Sequence, residues 1–230
     1  ALTVAEHVIW TSMALLRRFP QVNHDLRGGG WAAGRVHSDH GQELSGRRIG
    51  ILGMGNIGRE IARIAAAGFG MRVLCHTRSA ASAPADVTHL PLEALLAEAD
   101  ILVLCAPLTD QTRGLIDAAA LARMKRGAFL INVSRGPVVD EAALIAALRS
   151  GHLAGAALDV FDTQPLPPDH ALLALPNVLI TPHMAGLTEE SMLRMGQAVA
   201  EDAARILAGQ LPLRLINPEA ADLYRSRFPA

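Results

Sequence analysis

Two cysteines in 230 residues, Cys75 and Cys105, are too few for a disulfide framework and point to a reducing compartment, with the cytoplasm as the default. Net charge is nearly absent too. The 21 Lys and Arg against 22 Asp and Glu leave −1, which provides no electrostatic footprint for nucleic acid or a membrane surface. No apolar run approaches the length that spans a bilayer, and no signal-peptide pattern opens the chain. Internal repeats, low-complexity tracts and a metal-ligand cluster are also lacking. The initiator methionine is missing: the chain starts at Ala1, and residues 2–16 already read as a long apolar helix in mid-protein, so the first part of a longer chain is expected to be absent. What remains is 50% hydrophobic and 19% charged, a globular composition with length for one large domain or one and a half.

The densest information lies in residues 47–69, RRIGILGMGNIGREIARIAAAGF, which read as a buried strand (49–52), a glycine turn and a helix. The turn Gly53-Met54-Gly55-Asn56-Ile57-Gly58 is a full G-x-G-x-x-G. Gly53 permits the tight turn, Gly55 lets backbone approach a pyrophosphate, and Gly58 lets the helix pack closely on the strand. The helix N-terminus offers unpaired N–H groups and partial positive charge to phosphates. In this context the motif points to dinucleotide binding.

Strand-like and helix-like segments alternate along the rest. Strands are expected at 72–76, 88–90, 101–105, 128–133, 155–160 and 177–181, and helices at 91–98, 117–124, 141–150 and 189–208. The stretch Arg27–Gly46, polar and glycine-rich, reads as an extended arm or loop, and 77–86 as a loop. The strands are near-continuous apolar runs, as in a parallel sheet covered on both faces. The expected fold is therefore α/β, a doubly wound parallel sheet with helices on both faces and ligands at the carboxyl ends of its strands.

Three features lie at such ends. Arg135, in Asn132-Val133-Ser134-Arg135-Gly136, can present a bidentate fork to a carboxylate, or can be a surface arginine capping the next helix. His183, after the last strand, can serve as a general acid/base or be merely solvated. Asp159 can accept from a cofactor amide or cap the following turn.

Taken together, TVAEH (3–7), GMGNIGREIA (53–62), CAPLTDQTRGLI (105–116), NVSRGPVVDEAAL (132–144), ALDVFDTQPL (157–166) and LPNVLITPHMAG (175–186) resemble, in order and spacing, the D-isomer-specific 2-hydroxyacid dehydrogenase family. The resemblance implies a Rossmann domain over residues 1–208, with an interdomain helix at 1–18 and a dimerisation arm at 27–46. Residues 209–230 would be a tail returning to a flavodoxin-like substrate domain whose N-terminal part, about 100 residues, is absent. It implies hydride exchange between a nicotinamide cofactor and a small 2-oxo or 2-hydroxy acid such as glyoxylate or hydroxypyruvate, in a cytoplasmic homodimer. Arg135 would bind and orient the substrate, and His183 would move the proton at its carbonyl oxygen. Asn56 and Ile57 would lie over the pyrophosphate, Ala106, Pro107 and Thr112 would flank the cofactor, and Val133, Asp159, His183 and Gly186 would meet its nicotinamide side.

Two departures from the family pattern alter the details. The glutamate that pairs with the histidine is replaced by Gln164, which is expected to orient His183 without ionic stabilisation of the imidazolium. Gln164-Pro165 is also similar to the formate dehydrogenase branch, although LTEESM after Gly186 reads like the general hydroxyacid branch. After the second strand, Thr77 stands near the position where NAD-specific members carry an acid, and Arg78 follows; NADP(H) is therefore preferred, with NAD(H) possible and a solvated Arg78 as the bland alternative. A dinucleotide-sensing regulator on the same fold is the reading from another class. Without its first segment, the chain is expected to bind cofactor with little turnover.

Overall fold

The computed structural model describes residues 1–80 and 83–227, so part of the 77–86 loop and the last three residues of the expected tail lie outside the described residues. Contacts divide the chain into two units, Ala1–Ala185 and Gly186–Ala230. By these contacts the long helix after Gly186 groups with the tail.

The first unit is built on one all-parallel sheet of seven strands: β1 (Arg48–Leu52), β2 (Arg72–His76), β3 (Thr88–His89), β4 (Ile101–Leu104), β5 (Phe129–Asn132), β6 (Gly155–Leu158) and β7 (Val178–Ile180). Their spatial order is β3-β2-β1-β4-β5-β6-β7, the doubly wound Rossmann order with one further strand. The chain reverses direction of winding between β1 and β4, and the crevice at that switch point faces the glycine turn.

Branched aliphatic side chains of β1, β2, β4, β5 and β6 sort by shape, whereas β7 reverses the pattern, with Val178 and Ile180 against the leucine face and Leu179 against the other. The β-branched residues Ile49, Ile51, Val73, Ile101, Val103 and Ile131 face helices α1 (Leu2–Leu16) and α4 (Asn56–Phe69), and pack on Val8, Ile9, Ile61 and Ala65. The leucines Leu52, Leu74, Leu102, Leu104, Leu130 and Leu158 face α5 (Leu92–Glu98), α6 (Ala118–Arg123) and α7 (Glu141–Arg149). Both faces are dry, which is why these strands read as continuous apolar runs rather than alternating ones. Asp117 and Asp140 cap α6 and α7 by accepting from Ala120 N (2.8 Å) and Ala143 N (3.0 Å).

The expected arm is a correction. Residues 27–46 are not extended: α2 (Phe19–Gly29) and α3 (Trp31–Ser38) form a helical hairpin, and only residues 39–46 remain irregular. The glycines that suggested a loop serve the hairpin instead. Gly30, at φ +82°, breaks the chain between the helices, and Gly34 lies where a Cβ would meet Leu26 Cβ at 3.3 Å. Asp25 of α2 and His37 of α3 stand 2.9 Å apart across it. The apolar residues of the first helix divide between core and surface: Val8 and Leu16 are buried, whereas Trp10 and Met13 are exposed.

In the second unit, α8 (Glu189–Leu207) starts with a capping box between Thr188 and Ser191. The tail folds along it, with Arg214 paired to Glu201 (2.9 Å) and Asp202 (3.3 Å) and Tyr224 donating to Ile206 O (3.1 Å). It ends in a short helix, α9 (Ala221–Arg227), which sequence reading leaves as an undivided tail.

Candidate active site

Unlike α6 and α7, α4 starts without a side-chain cap; its N-cap is Gly55. The first turn, Asn56, Ile57 and Gly58, therefore has no side-chain cap; Asn56 is exposed, Ile57 half-buried and Gly58 buried. Gly53 has φ +99°, and a Cβ there would lie 2.7 Å from Ala106 N, so only glycine lets this turn pass under the loop after β4. A Cβ on Gly55 would meet nothing within 4 Å. The turn thus presents bare backbone to open space, the shape a pyrophosphate needs.

That space continues into a cleft of about 770 Å³ lined by Gly53, Gly55, Thr77, Arg78, Ala106, Pro107 and Thr112, seven of the expected nucleotide residues. Arg59, His76, Cys105 and Asp110 complete much of its wall. Arg59 is tied to the glycine turn through Nε donating to Met54 O (3.3 Å). The Thr112 hydroxyl donates to Pro107 O (2.7 Å) and accepts from Thr109 N (2.8 Å), so it shapes the loop that forms the wall. Burial pushes the Cys105 thiol up to about 12, which keeps it protonated and unreactive.

The other expected residues follow the next strands along the same carboxyl edge. Asn132, buried at the end of β5, braces the turn that carries Arg135: its Nδ2 donates to Arg135 O (3.0 Å), and its Oδ1 accepts from Ser134 N (3.0 Å) and Ser134 Oγ (2.9 Å). Arg135 itself is exposed and donates one N–H to Ser134 O (2.6 Å), leaving the remaining fork for a ligand. Val133, between them, is half-buried.

His183 follows β7 in the left-handed region, at φ +56°. Its Nδ1 lies 3.2 Å from Gln164 Oε1, so the two residues paired by sequence reading are in contact. An amide oxygen only accepts; Nδ1 therefore carries the hydrogen, and Nε2 of the neutral ring presents a lone pair outward. The amide is turned this way by Gln164 Nε2, which faces Phe161 O at 3.5 Å.

Asp159 is 3% exposed, and its carboxylate is occupied in a way the sequence does not announce. Oδ1 accepts from Thr181 Oγ1 (2.6 Å) and Met184 N (2.8 Å), and Oδ2 from Ala185 N (2.9 Å). Three of about four acceptor positions are filled, and all three donors flank His183. Asp159 thus clasps the turn that carries the histidine, rather than capping the turn after its own strand. His7 of α1 feels this charge: burial pushes its imidazole down, and Asp159 opposes the push. Gly186 opens the second unit, where its carbonyl accepts from Ser191 Oγ (2.7 Å).

A larger cavity, about 840 Å³, opens near α2, α3 and the start of β5, and carries none of these residues. Among the described residues, no three His, Cys, Asp or Glu side chains gather to hold a metal ion. No helix among them is long and apolar enough to cross a membrane.

Residues 9–185 match the family model described as D-isomer specific 2-hydroxyacid dehydrogenase, NAD binding domain. A glyoxylate reductase from Korarchaeum cryptofilum is 42% identical over 98% of this chain and 69% of its own length. Among solved structures, a protein from Thermus thermophilus superposes with a TM-score of 0.87 at 40% identity, covering 94% of this chain and 68% of that one. A D-isomer specific 2-hydroxyacid dehydrogenase from Xanthobacter autotrophicus, crystallised with NADPH and MES, gives a TM-score of 0.78 at 39% identity, covering 94% of this chain and 88% of that one.

Proposed function

The chain belongs to the D-isomer specific 2-hydroxyacid dehydrogenase family of NAD(P)-dependent oxidoreductases, and from that premise we propose that it carries the nucleotide-binding and catalytic half of an NADP(H)-preferring reductase of small 2-oxo acids, glyoxylate or hydroxypyruvate among them. The observation that carries this reading is the continuity of one sheet edge, from an uncapped glycine turn through a basic cleft to an arginine and a paired histidine.

The bare backbone at Gly55 and the uncapped first turn of α4 fit a bound dinucleotide. When bound, its nicotinamide supplies or accepts the hydride. The protein's own groups bind, orient and move the proton. Arg135 takes the carboxylate of the 2-oxo acid on its fork and turns the carbonyl toward His183. His183, doubly protonated, gives the Nε2 proton to the carbonyl oxygen in reduction; neutral, it takes that proton back in oxidation. Gln164 fixes the ring by accepting at Nδ1 without adding charge, so the imidazolium lacks the ionic stabilisation a glutamate would give. Thr77 and Arg78 would meet the ribose: no carboxylate repels a 2′-phosphate there, and a guanidinium can bind it.

Free thiols at Cys75 and Cys105 suit a reducing compartment such as the cytoplasm. The partner we propose is a second copy of the chain, through α1 and the α2–α3 hairpin, where Trp10, Phe19, Trp31 and Val36 are exposed.

Calorimetric titration with NADPH and NADH, followed by absorbance assays of NADPH consumption with glyoxylate, tests the reading. Tenfold tighter NADPH binding, about 1.4 kcal/mol, lost in Arg78→Ala, is the expected result. Equal or NADH-favouring binding would overturn the cofactor preference, and turnover that survives His183→Ala would overturn the proton role.

A further inference from the structure

His76 is a residue of the nucleotide cleft that no sequence motif singles out. It ends β2, one position before Thr77, and its half-buried ring forms part of the cleft wall. The ring is held from behind. Nδ1 lies 2.9 Å from the carbonyl oxygen of Leu90, which can only accept, so Nδ1 carries the hydrogen and Nε2 is left with its lone pair. His89 of β3 stacks beside it, with centroids 6.0 Å apart and planes 24° from parallel. That neighbour is pinned in turn, its Nε2 lying 3.1 Å from Thr77 O. Nε2 of His76 has no hydrogen-bond partner among the described residues.

The charged and titratable groups that line the cleft with it are Arg59 from α4, Arg78 after β2, and Cys105 and Asp110 from the loop after β4, and His89 of β3 stacks on its ring; the Cys105 thiol stays protonated. The balance of these groups is basic, with Asp110 the one carboxylate among the described residues that line the cleft. A neutral His76 offers an acceptor at Nε2, which suits the hydroxyl of an unphosphorylated ribose. A protonated His76 offers a charged donor instead, which suits phosphate oxygen.

We propose that His76 is a specificity-determining residue of this cleft: protonated at Nε2, it joins Arg78 on the ribose 2′-phosphate of NADP(H), so that preference over NAD(H) strengthens as pH falls. The inference rests on the NADP(H) reading above and adds to it a second reader whose charge is conditional. Because Leu90 fixes the tautomer, the proton that changes the preference is the one at Nε2.

The test compares the dissociation constants of NADPH and NADH from pH 8 to pH 6 in the wild-type chain and in His76→Asn. Asparagine keeps a donor for Leu90 O but cannot gain charge. It also supplies the reference for the 2′-phosphate, whose own protonation near pH 6 pulls in the opposite direction. The NADPH-to-NADH affinity ratio is expected to rise about tenfold in the wild type relative to the variant over this range. Calorimetry of the wild type in two buffers of different ionisation enthalpy reads proton uptake directly, so the proposal is decided even if the variant folds poorly. Uptake on binding NADPH but not NADH is the expected result. NADPH preferred, with parallel pH curves in the two proteins and no proton uptake, overturns the role of His76 and leaves that of Arg78 standing. No preference for NADPH at any pH overturns both.

Discussion

Replacing Asp159 by asparagine exchanges one buried oxygen for an NH2 group and leaves the shape of the side chain unchanged. Its consequence can be worked bond by bond. With the amide oxygen at the Oδ1 position, the bonds from Thr181 Oγ1 and Met184 N survive, but the NH2 group then faces Ala185 N, donor against donor. With the amide flipped, Ala185 N keeps its acceptor, the Thr181 hydroxyl turns to accept from the NH2 group, and Met184 N loses its acceptor. Either way at least one backbone donor of the turn loses its acceptor, Ala185 N on a residue only 4% exposed or Met184 N, and the surviving bonds no longer end on a charge. A hydrogen bond to a charged group contributes about 1.5–3 kcal/mol, so the variant should lose roughly 2–4 kcal/mol, a large share of the stability of a domain. Urea denaturation followed by circular dichroism would show this as a midpoint lowered by about 1–2 M. Hydrogen exchange localises it: the amides of Met184 and Ala185 should exchange at least tenfold faster. Turnover should fall as well, since the turn that holds His183 at a positive φ is no longer clasped from both sides. An unchanged midpoint, with both amides as protected as before, would refute the role of this carboxylate in holding the turn that carries His183.

Gly58→Ala places a Cβ 2.3 Å from Gly53 O and 3.2 Å from Ile51 Cγ2, so α4 must back away from β1; about 1–3 kcal/mol of stability and most of the affinity for either cofactor should go, read by thermal melts and calorimetry. Gln164→Glu puts a charge where Oε1 now meets His183 Nδ1, and the histidine limb of the pH–rate profile should move up by about one unit; an unmoved limb sinks the pairing. Burial is the largest influence on Asp100 and raises its carboxyl, but the Arg48 N–H, Lys125 and Arg47 together hold it below the usual range. The stability this provides is complete at neutral pH and disappears as pH falls through the lowered value. Asp100→Asn should therefore be less stable than wild type at pH 7, and the difference should close as pH falls below the usual carboxylate range, as denaturation at neutral and at acid pH would show.

Much of this architecture is legible in the residues because its determinants are local. β2 ends where RVLCH ends, and α1 fills the apolar run 2–16, since burial on both faces and helical spacing are written in consecutive positions. The glycine turn is legible for the same reason. What escapes is non-local. The clasp of Asp159 joins residues 22 to 26 positions apart, and nothing in ALDVF announces that its partners are backbone amides. His76 is hidden because a strand-ending histidine looks ordinary until β3 and the cleft are in place around it. The α2–α3 hairpin misleads for another reason: its glycines mark a break and a close approach between two helices, and composition alone cannot separate those uses from a loop.

The division of strand residues by shape has a consequence for how the two faces respond to temperature and to change. Isoleucine and valine keep few χ1 rotamers when buried, so the floor beneath the glycine turn and α4 is conformationally stiff before any ligand arrives. Little side-chain freedom is left there to be frozen on binding. The leucine face beneath α5, α6 and α7 holds more torsional slack, and is where drift in side-chain size or small shifts of a helix can be absorbed without disturbing the nucleotide side.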